Sequence, residues 1–396
     1  MSSVLSNRIN NLTVSQTLAM AAMARELKSQ GKDIISLSLG EPDFNTPDYI
    51  KEAAKKAIDD NYSSYTPVDG YADLKETICN KFLRDNNLNY KPSQIVVSTG
   101  AKQSLYNIAQ VMLNEGDEVI LPAPYWVSYY EIIKLSGGVP IVVPTDVSSN
   151  FKITAQQLEN AITPRTKMMW FSSPCNPSGS VYSKEEFEDL AKVLEKHSSI
   201  YIVSDEIYEH INYTQKHCSI ASISSLYDRT ITVNGVAKAF AMTGWRIGYI
   251  GAPEFIAKAC TKMQGQVTSG ANSIAQRATI AAIEANPDKI QYMVDAFKKR
   301  RDVMIEQMKT IPHFKTNIPE GAFYVFPDVS YYFGKTLKGK KIVNADDFAM
   351  YLLTEANVAT VTGDAFGNPN CIRLSYASNE DVLIEAVRRI KTALGL

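Results

Sequence analysis

Chemistry-bearing side chains recur in this chain at one kind of place, directly after a short apolar run. Ser172-Ser173-Pro174-Cys175-Asn176-Pro177-Ser178-Gly179 follows 167–171, Asp205-Glu206-Ile207-Tyr208 follows 200–204, and Gly235-Val236-Ala237-Lys238 follows 230–234, with Thr243-Gly244-Trp245-Arg246-Ile247-Gly248 close behind. Gly100-Ala101-Lys102-Gln103-Ser104 follows 95–99 and opens a helix, a place where free backbone N–H groups suit a phosphate. Taken singly, each residue has an ordinary explanation: Asp205 as a helix N-cap, Asn176 as an Asn-Pro turn, Lys238 as a surface charge. Together they place a carboxylate, a phenol, a carboxamide, an amine and a guanidinium at strand ends, where open parallel sheets bind their ligands.

The elements that must position this set are legible from periodicity. Strand candidates at 95–99, 118–122, 139–143, 167–171, 200–204 and 230–234 alternate with helical stretches near 47–60, 71–86, 101–114 and 126–136. Strands with no polar face read as a parallel sheet covered on both sides. The pattern predicts an α/β domain of about seven strands over 46–285. Residues 1–45 and 286–396 form an N-terminal arm and a smaller α+β domain, with a helix at 14–30 that packs on the smaller domain. A strand-like run, 34–39, leads into the Gly40-Glu41-Pro42-Asp43 turn, and further elements follow at 286–310, 323–326, 345–356, 371–376 and from 379.

Composition excludes several function classes. Lys+Arg 41 against Asp+Glu 42 gives a formal charge of −1, so no bulk basic field points to nucleic acid or an anionic membrane. The basic run Lys298-Lys299-Arg300-Arg301 and the Lys338 to Lys341 segment read as a solvated helix face and a charged loop. Five scattered cysteines without a C-x-x-C argue against a disulfide framework or zinc site and fit a reducing cytoplasm. Met1 to Arg8 shows no basic stretch leading into an apolar region, hence no secretory signal. No window approaches a spanning helix, and His197, His210, His217 and His313 sit at no ligand-like spacing, so no role falls to them.

Ser-Pro-Cys-Asn-Pro-Ser-Gly (173–179), Ser-Asp-Glu-Ile-Tyr (204–208) and Lys-Ala-Phe-Ala-Met-Thr-Gly-Trp-Arg-Ile-Gly (238–248) resemble the class I and II aminotransferases of the fold-type I enzymes that use pyridoxal 5′-phosphate (PLP). Gly40-Glu41-Pro42-Asp43-Phe44 and Cys371-Ile372-Arg373-Leu374-Ser375 extend the resemblance from about residue 15 to the C-terminus. The nearest subgroup is the bacterial aspartate and aspartate/prephenate aminotransferases. The resemblance implies that Lys238 holds PLP as a Schiff base and then moves the proton between substrate and cofactor, two tasks for one primary amine. Asp205 would keep the pyridine nitrogen protonated, Tyr208 and Asn176 would hydrogen-bond the phenolic oxygen, and Trp126 would stack on the ring. Arg246, with N–H groups of Gly100, Ala101 and Lys102, would take the phosphate. Tyr65 would reach a phosphate across the interface of a homodimer. Arg373 would fork onto the substrate α-carboxylate, beside the Gly40 backbone and within reach of Trp126 and Asn176. Two departures stand out. Gly235 and Ala237 replace hydroxyl residues common before the lysine, and Cys175 and Ser178 replace asparagine and threonine, with Cys175 expected to pack.

Ser15, Thr17 and Lys102 match the subgroup's set for the distal carboxylate of a dicarboxylic substrate. The resemblance therefore implies aspartate with 2-oxoglutarate, with prephenate as a second acceptor and no metal. Aromatic or alanine aminotransferases and PLP-dependent β-eliminating lyases share the fold and most of the cofactor site. A PLP-binding regulator would need a winged-helix segment or a basic face, and neither is present.

Overall fold

The computed structural model describes residues 4–214 and 216–396; the first three residues of the segment read for a secretory signal lie outside the described residues. A short strand, β1 (Ile35–Ser36), precedes the main sheet, whose strands are β2 (Ile95–Ser98), β3 (Glu118–Ala123), β4 (Val139–Pro144), β5 (Thr166–Ser172), β6 (Tyr201–Asp205), β7 (Thr230–Gly235) and β8 (Gly248–Gly251). Their order is β2-β8-β7-β6-β5-β3-β4. All pairings are parallel except those of β8, which runs antiparallel to both β2 and β7. The sheet is α/β and mostly parallel, as its apolar strands predict.

Within the main sheet, β8 is the strand the sequence reading missed. Gly-Tyr-Ile-Gly is short, and glycine is disfavoured in strand interiors. Its glycines are here for close approach. A Cβ on Gly251 would lie 2.5 Å from the Tyr90 ring, so only a bare backbone fits between these layers.

Helices cover the sheet. Helix Ala101–Met112 packs on Glu254–Val267, and Asp48–Asp59 packs on Ser273–Glu284. Several carry their own start signals: Thr154 and Ser183 each make a reciprocal capping box with the residue three positions on. β1 pairs in parallel with Val358–Ala359, and Ile372–Ser375 lies between Val361–Thr362 and Tyr324–Val325 in an antiparallel sheet. The N-terminal helix, Gln16–Ser29, packs through Ala24, Met20 and Leu27 on Ile34, Leu353 and Ala359, on the side expected for it.

One expectation is corrected here. The run Lys298 to Arg301 is solvated only in its first half: Lys298 and Lys299 are exposed, but Arg300 and Arg301 are each only 7% exposed. Arg300 forks onto Asp43 at 2.7 and 3.0 Å, and Arg301 donates to the Pro319 carbonyl at 3.0 Å. A planar fork with a long apolar stem can be buried where a lysine would not be.

Candidate active site

The carboxyl ends of β5, β6 and β7 open onto one cavity of about 340 Å³, closed on the far side by the Leu39-Gly40-Glu41 turn, Tyr324 and Arg373. Lys238, Asp205, Tyr208, Asn176, Trp126, Ala101, Lys102, Arg246, Gly40, Arg373, Ser15 and Thr17 all line it. Gly100 lies just outside this lining, and its conformation matters. Its φ of +82° and lack of a Cβ let the Arg246 guanidinium pack directly on it, at the N-cap of helix Ala101–Met112. Tyr65 is the exception among the expected residues. It is 98% exposed and not part of the cavity.

Asp205 ends β6 and is 4% exposed. Burial pushes its carboxyl up to about 6, against hydrogen bonds from Tyr129 and the Ile207 N–H that favour the charged form. The Tyr129 hydroxyl donates to Asp205 Oδ2 at 2.5 Å. Lys238 donates from Nζ to the Gly40 carbonyl at 2.5 Å. Burial, with the Arg373 charge next, pushes its amine down to about 8. Lysine and aspartate therefore have proton affinities moved toward each other, a common mark of functional sites.

At the far wall Arg373 is 1% exposed. Its Nη1 donates to Asn176 Oδ1 at 2.9 Å and its Nη2 to the Ser38 carbonyl at 2.5 Å, while its Nε has no partner. Tyr324 lies beneath the guanidinium at 4.6 Å and shares a 2.7 Å hydrogen bond with Tyr208. Lys102 Nζ stands 4.8 Å from the Trp126 ring centroid. Burial first, then Arg246, lowers its proton affinity, and it forms no ion pair among the described residues. Thr17 Oγ1 is buried without a hydrogen-bond partner.

A model of the family described as aminotransferase class I and II matches residues 32–390. The chain belongs to this family. The aminotransferase is 48% identical over 392 residues to the aspartate aminotransferase of Bacillus sp. (strain YM-2), covering 98% of this chain and 99% of that one. It is 47% identical to the aspartate/prephenate aminotransferase of Cereibacter sphaeroides, with 98% of each covered. Among solved structures, the aspartate aminotransferase from Rhizobium meliloti superposes with a TM-score of 0.96 at 42% identity, over 100% of this chain and 99% of that one.

Tyr129 and Tyr324 are the two tyrosines of this cavity that sequence reasoning missed. Tyr129 sits one helical turn beyond Trp126, and that spacing was its only local signal; Tyr324 had none. Three further points bear on the sequence reading, one of them as expected. Gly235 has no room for a hydroxyl residue, since a Cβ there would lie 2.8 Å from the Ile247 carbonyl oxygen. Cys175 packs, 7% exposed, with its thiol pushed up by burial. His210 and His217, given no role, stand in a cluster of charged groups behind the Asp205 turn. Among the described residues no helix is long and apolar enough to cross a membrane.

Proposed function

We propose that this aminotransferase uses PLP to exchange the amino group between aspartate and 2-oxoglutarate, with prephenate as a second acceptor. The observation that carries the proposal is one cavity holding Lys238 and Asp205 at one end and two cationic groups at others: Arg373, whose Nε has no hydrogen-bond partner, and Lys102, which has no ion pair among the described residues. The residues present fit the cofactor. Asp205 is a buried carboxyl suited to a cationic ring nitrogen, Gly100 leaves room for the Arg246 guanidinium, and the first N–H groups of the following helix have no acceptor within it.

When bound, PLP supplies a carbonyl that carries the amino group and a ring that accepts electrons. Lys238, its proton affinity lowered by burial, would take the proton from the substrate Cα as its free amine and hand it on from the same side. Asp205 holds the ring nitrogen protonated. Tyr208 and Asn176 would hydrogen-bond the ring oxygen, and Trp126 would hold the ring by stacking. Arg246 with the Gly100, Ala101 and Lys102 N–H groups binds the phosphate. Arg373 orients the α-carboxylate by its fork, beside Gly40, and Lys102 with Thr17 and Ser15 reads the distal carboxylate.

We also assign Tyr65 to a neighbouring subunit's phosphate in a cytoplasmic two-fold dimer, which accounts for a tyrosine so exposed on the single chain. Residues 46–285 then serve as the cofactor-binding unit, and 1–45 with 286–396 as the unit that covers it. The test is a half-reaction survey. Purified protein loaded with PLP is mixed with aspartate, glutamate, alanine and phenylalanine while its visible absorption is followed, and prephenate is then offered as acceptor. Fast loss of the visible band with aspartate and glutamate is expected. A protein that stays colourless with added PLP, or that reacts with alanine as readily as with aspartate, would sink the reading.

A further inference from the structure

The turn that carries Asp205 and Tyr208 is backed by a second set of polar groups facing away from the cavity. Successive residues of an extended backbone point to opposite sides. Asp205 lines the cavity, and Glu206, absent from its lining, is 0% exposed. Glu206 Oε1 accepts from Ser204 Oγ at 2.9 Å and Ser219 Oγ at 2.5 Å, and its Oε2 lies 2.9 Å from His217 Nε2. At the far end of the turn, Glu209 accepts from Asn86 Nδ2 at 2.8 Å and pairs with the Lys81 ammonium. His210 Nε2 is 3.2 Å from Glu209 and 3.8 Å from Asp85. Burial alone would raise the Glu209 carboxyl, but Lys81, with His210 and His217, holds it far below the usual carboxylate range.

Lys81, itself 1% exposed, is the resident cation of this cluster, so its carboxylates need no metal. Buried ion pairs contribute little net stability over an apolar set of similar volume, and their best-supported use is to enforce one arrangement. The arrangement enforced here is that of the turn. Its start is tied by Glu206 to β6 and to the 217–219 segment, and its end by Glu209 to helix Ala72–Asn86. Beyond the turn, the Tyr213 N–H donates to the Glu320 carbonyl and the Ala322 N–H to the Ile211 carbonyl, next to the Tyr324 that touches Tyr208.

We propose that Glu206 is a positioning residue for the amino transfer. Gripped by Ser204, Ser219 and His217, it fixes the turn so that Asp205 and Tyr208 meet the cofactor ring, while Lys81 and Glu209 lock the turn's other end. This rests on the cofactor assignment above. Misplacing a catalytic group by a fraction of its reach costs on the order of tenfold to a hundredfold in rate.

The experiment compares PLP-loaded wild type with Glu206→Ala and Glu206→Gln by kcat, KM for aspartate, and the pH midpoint of the cofactor's visible band. Expected for Glu206→Ala is a kcat lower by roughly ten- to a hundredfold with KM nearly unchanged and a displaced midpoint. Glu206→Gln, which still accepts from both serines, should restore most of both. A folded Glu206→Ala with wild-type midpoint and kcat, lower only in Tm, overturns the proposal. If Glu206→Ala does not fold, Ser219→Ala decides: a smaller displacement in the same direction supports it, and an unmoved midpoint overturns it. A wild type without any visible band removes the cofactor reading and this proposal together, whereas an unaltered variant beside a normal wild type removes this proposal alone.

Discussion

Replacing Tyr129 with phenylalanine isolates one oxygen. The substitution keeps the ring, which packs edge-on against Trp126 and Trp170, and deletes the hydroxyl that donates to Asp205 Oδ2 at 2.5 Å. A hydrogen bond to a charged acceptor is worth about 1.5–3 kcal/mol, and it favours the ionised carboxylate, so its loss pushes the Asp205 proton affinity up by about ten- to a hundredfold. Burial already pushes that carboxyl up to about 6. In the cofactor-free protein at pH 7, the ionised fraction should therefore drop from roughly nine in ten to between about a half and a tenth. In its proposed role an ionised Asp205 would keep the ring nitrogen protonated, so activity should be lost as pH falls through its titration. In Tyr129→Phe that acid limb should move to higher pH. The assay is the pH profile of kcat/KM for aspartate, which reports the free enzyme, beside a fluorescence titration of PLP affinity. An acid limb in its wild-type place, with kcat within about twofold of wild type, would refute the reasoning.

Lys238 offers a second pH test. Because its amine is pushed down to about 8 by burial and Arg373, PLP uptake by the cofactor-free protein should quicken with pH and level off above pH 8; a rate still climbing past pH 10 would count against it. Gly100→Ala adds a Cβ at φ +82° and against the Arg246 guanidinium, a strain of about 1–3 kcal/mol, and an equilibrium titration should show weaker PLP binding; unchanged affinity would remove Arg246 from the phosphate site. Lys102→Ala should lower kcat/KM for aspartate and prephenate by roughly ten- to a hundredfold while alanine turnover stays nearly constant, with Thr17→Val weaker in the same sense; equal losses on all substrates would make Lys102 structural. Mixing Tyr65→Phe with Lys238→Ala protein should regenerate one working site per heterodimer, and full activity in a demonstrated monomer would be decisive against shared sites.

That Asn176, Asp205 and Lys238 share one cavity was legible because these residues obey a local rule. Asp205 ends β6, and Asn176 and Lys238 stand four and three residues past the ends of β5 and β7; a strand's end can be read without knowing its neighbours. Arg373 was legible by its motif rather than by position. What stayed hidden depends on contacts distant in sequence. Tyr324 earns its place by meeting Tyr208, 116 residues away, and no window of sequence contains both. The strand β8 was lost to its own glycines, whose close packing overrides a poor strand propensity. Arg300 and Arg301 misled because a run of cations looks solvated until Asp43 and the Pro319 carbonyl are seen to receive them. His210 and His217 looked idle for the same reason, since the acids and the lysine they meet come from a turn and a helix far apart in the chain.

The antiparallel pairing of β7 with β8 gives the molecule a particular kind of heritability. Lys238 and Arg246 both belong to the connection between these two strands, whose register is fixed at Gly235 opposite Gly248. Gly248 in turn abuts the Gly100–Ala101 backbone so closely that a Cβ would overlap it. The residues assigned to the covalent bond and to the phosphate thus travel as one cassette, and drift in either would be felt by both. Ser15 and Thr17, by contrast, sit at the start of helix Gln16–Ser29 and meet Lys102 only across the cavity. Descendants of such a chain can exchange these singly and acquire new substrates, while the reaction itself passes on as a block.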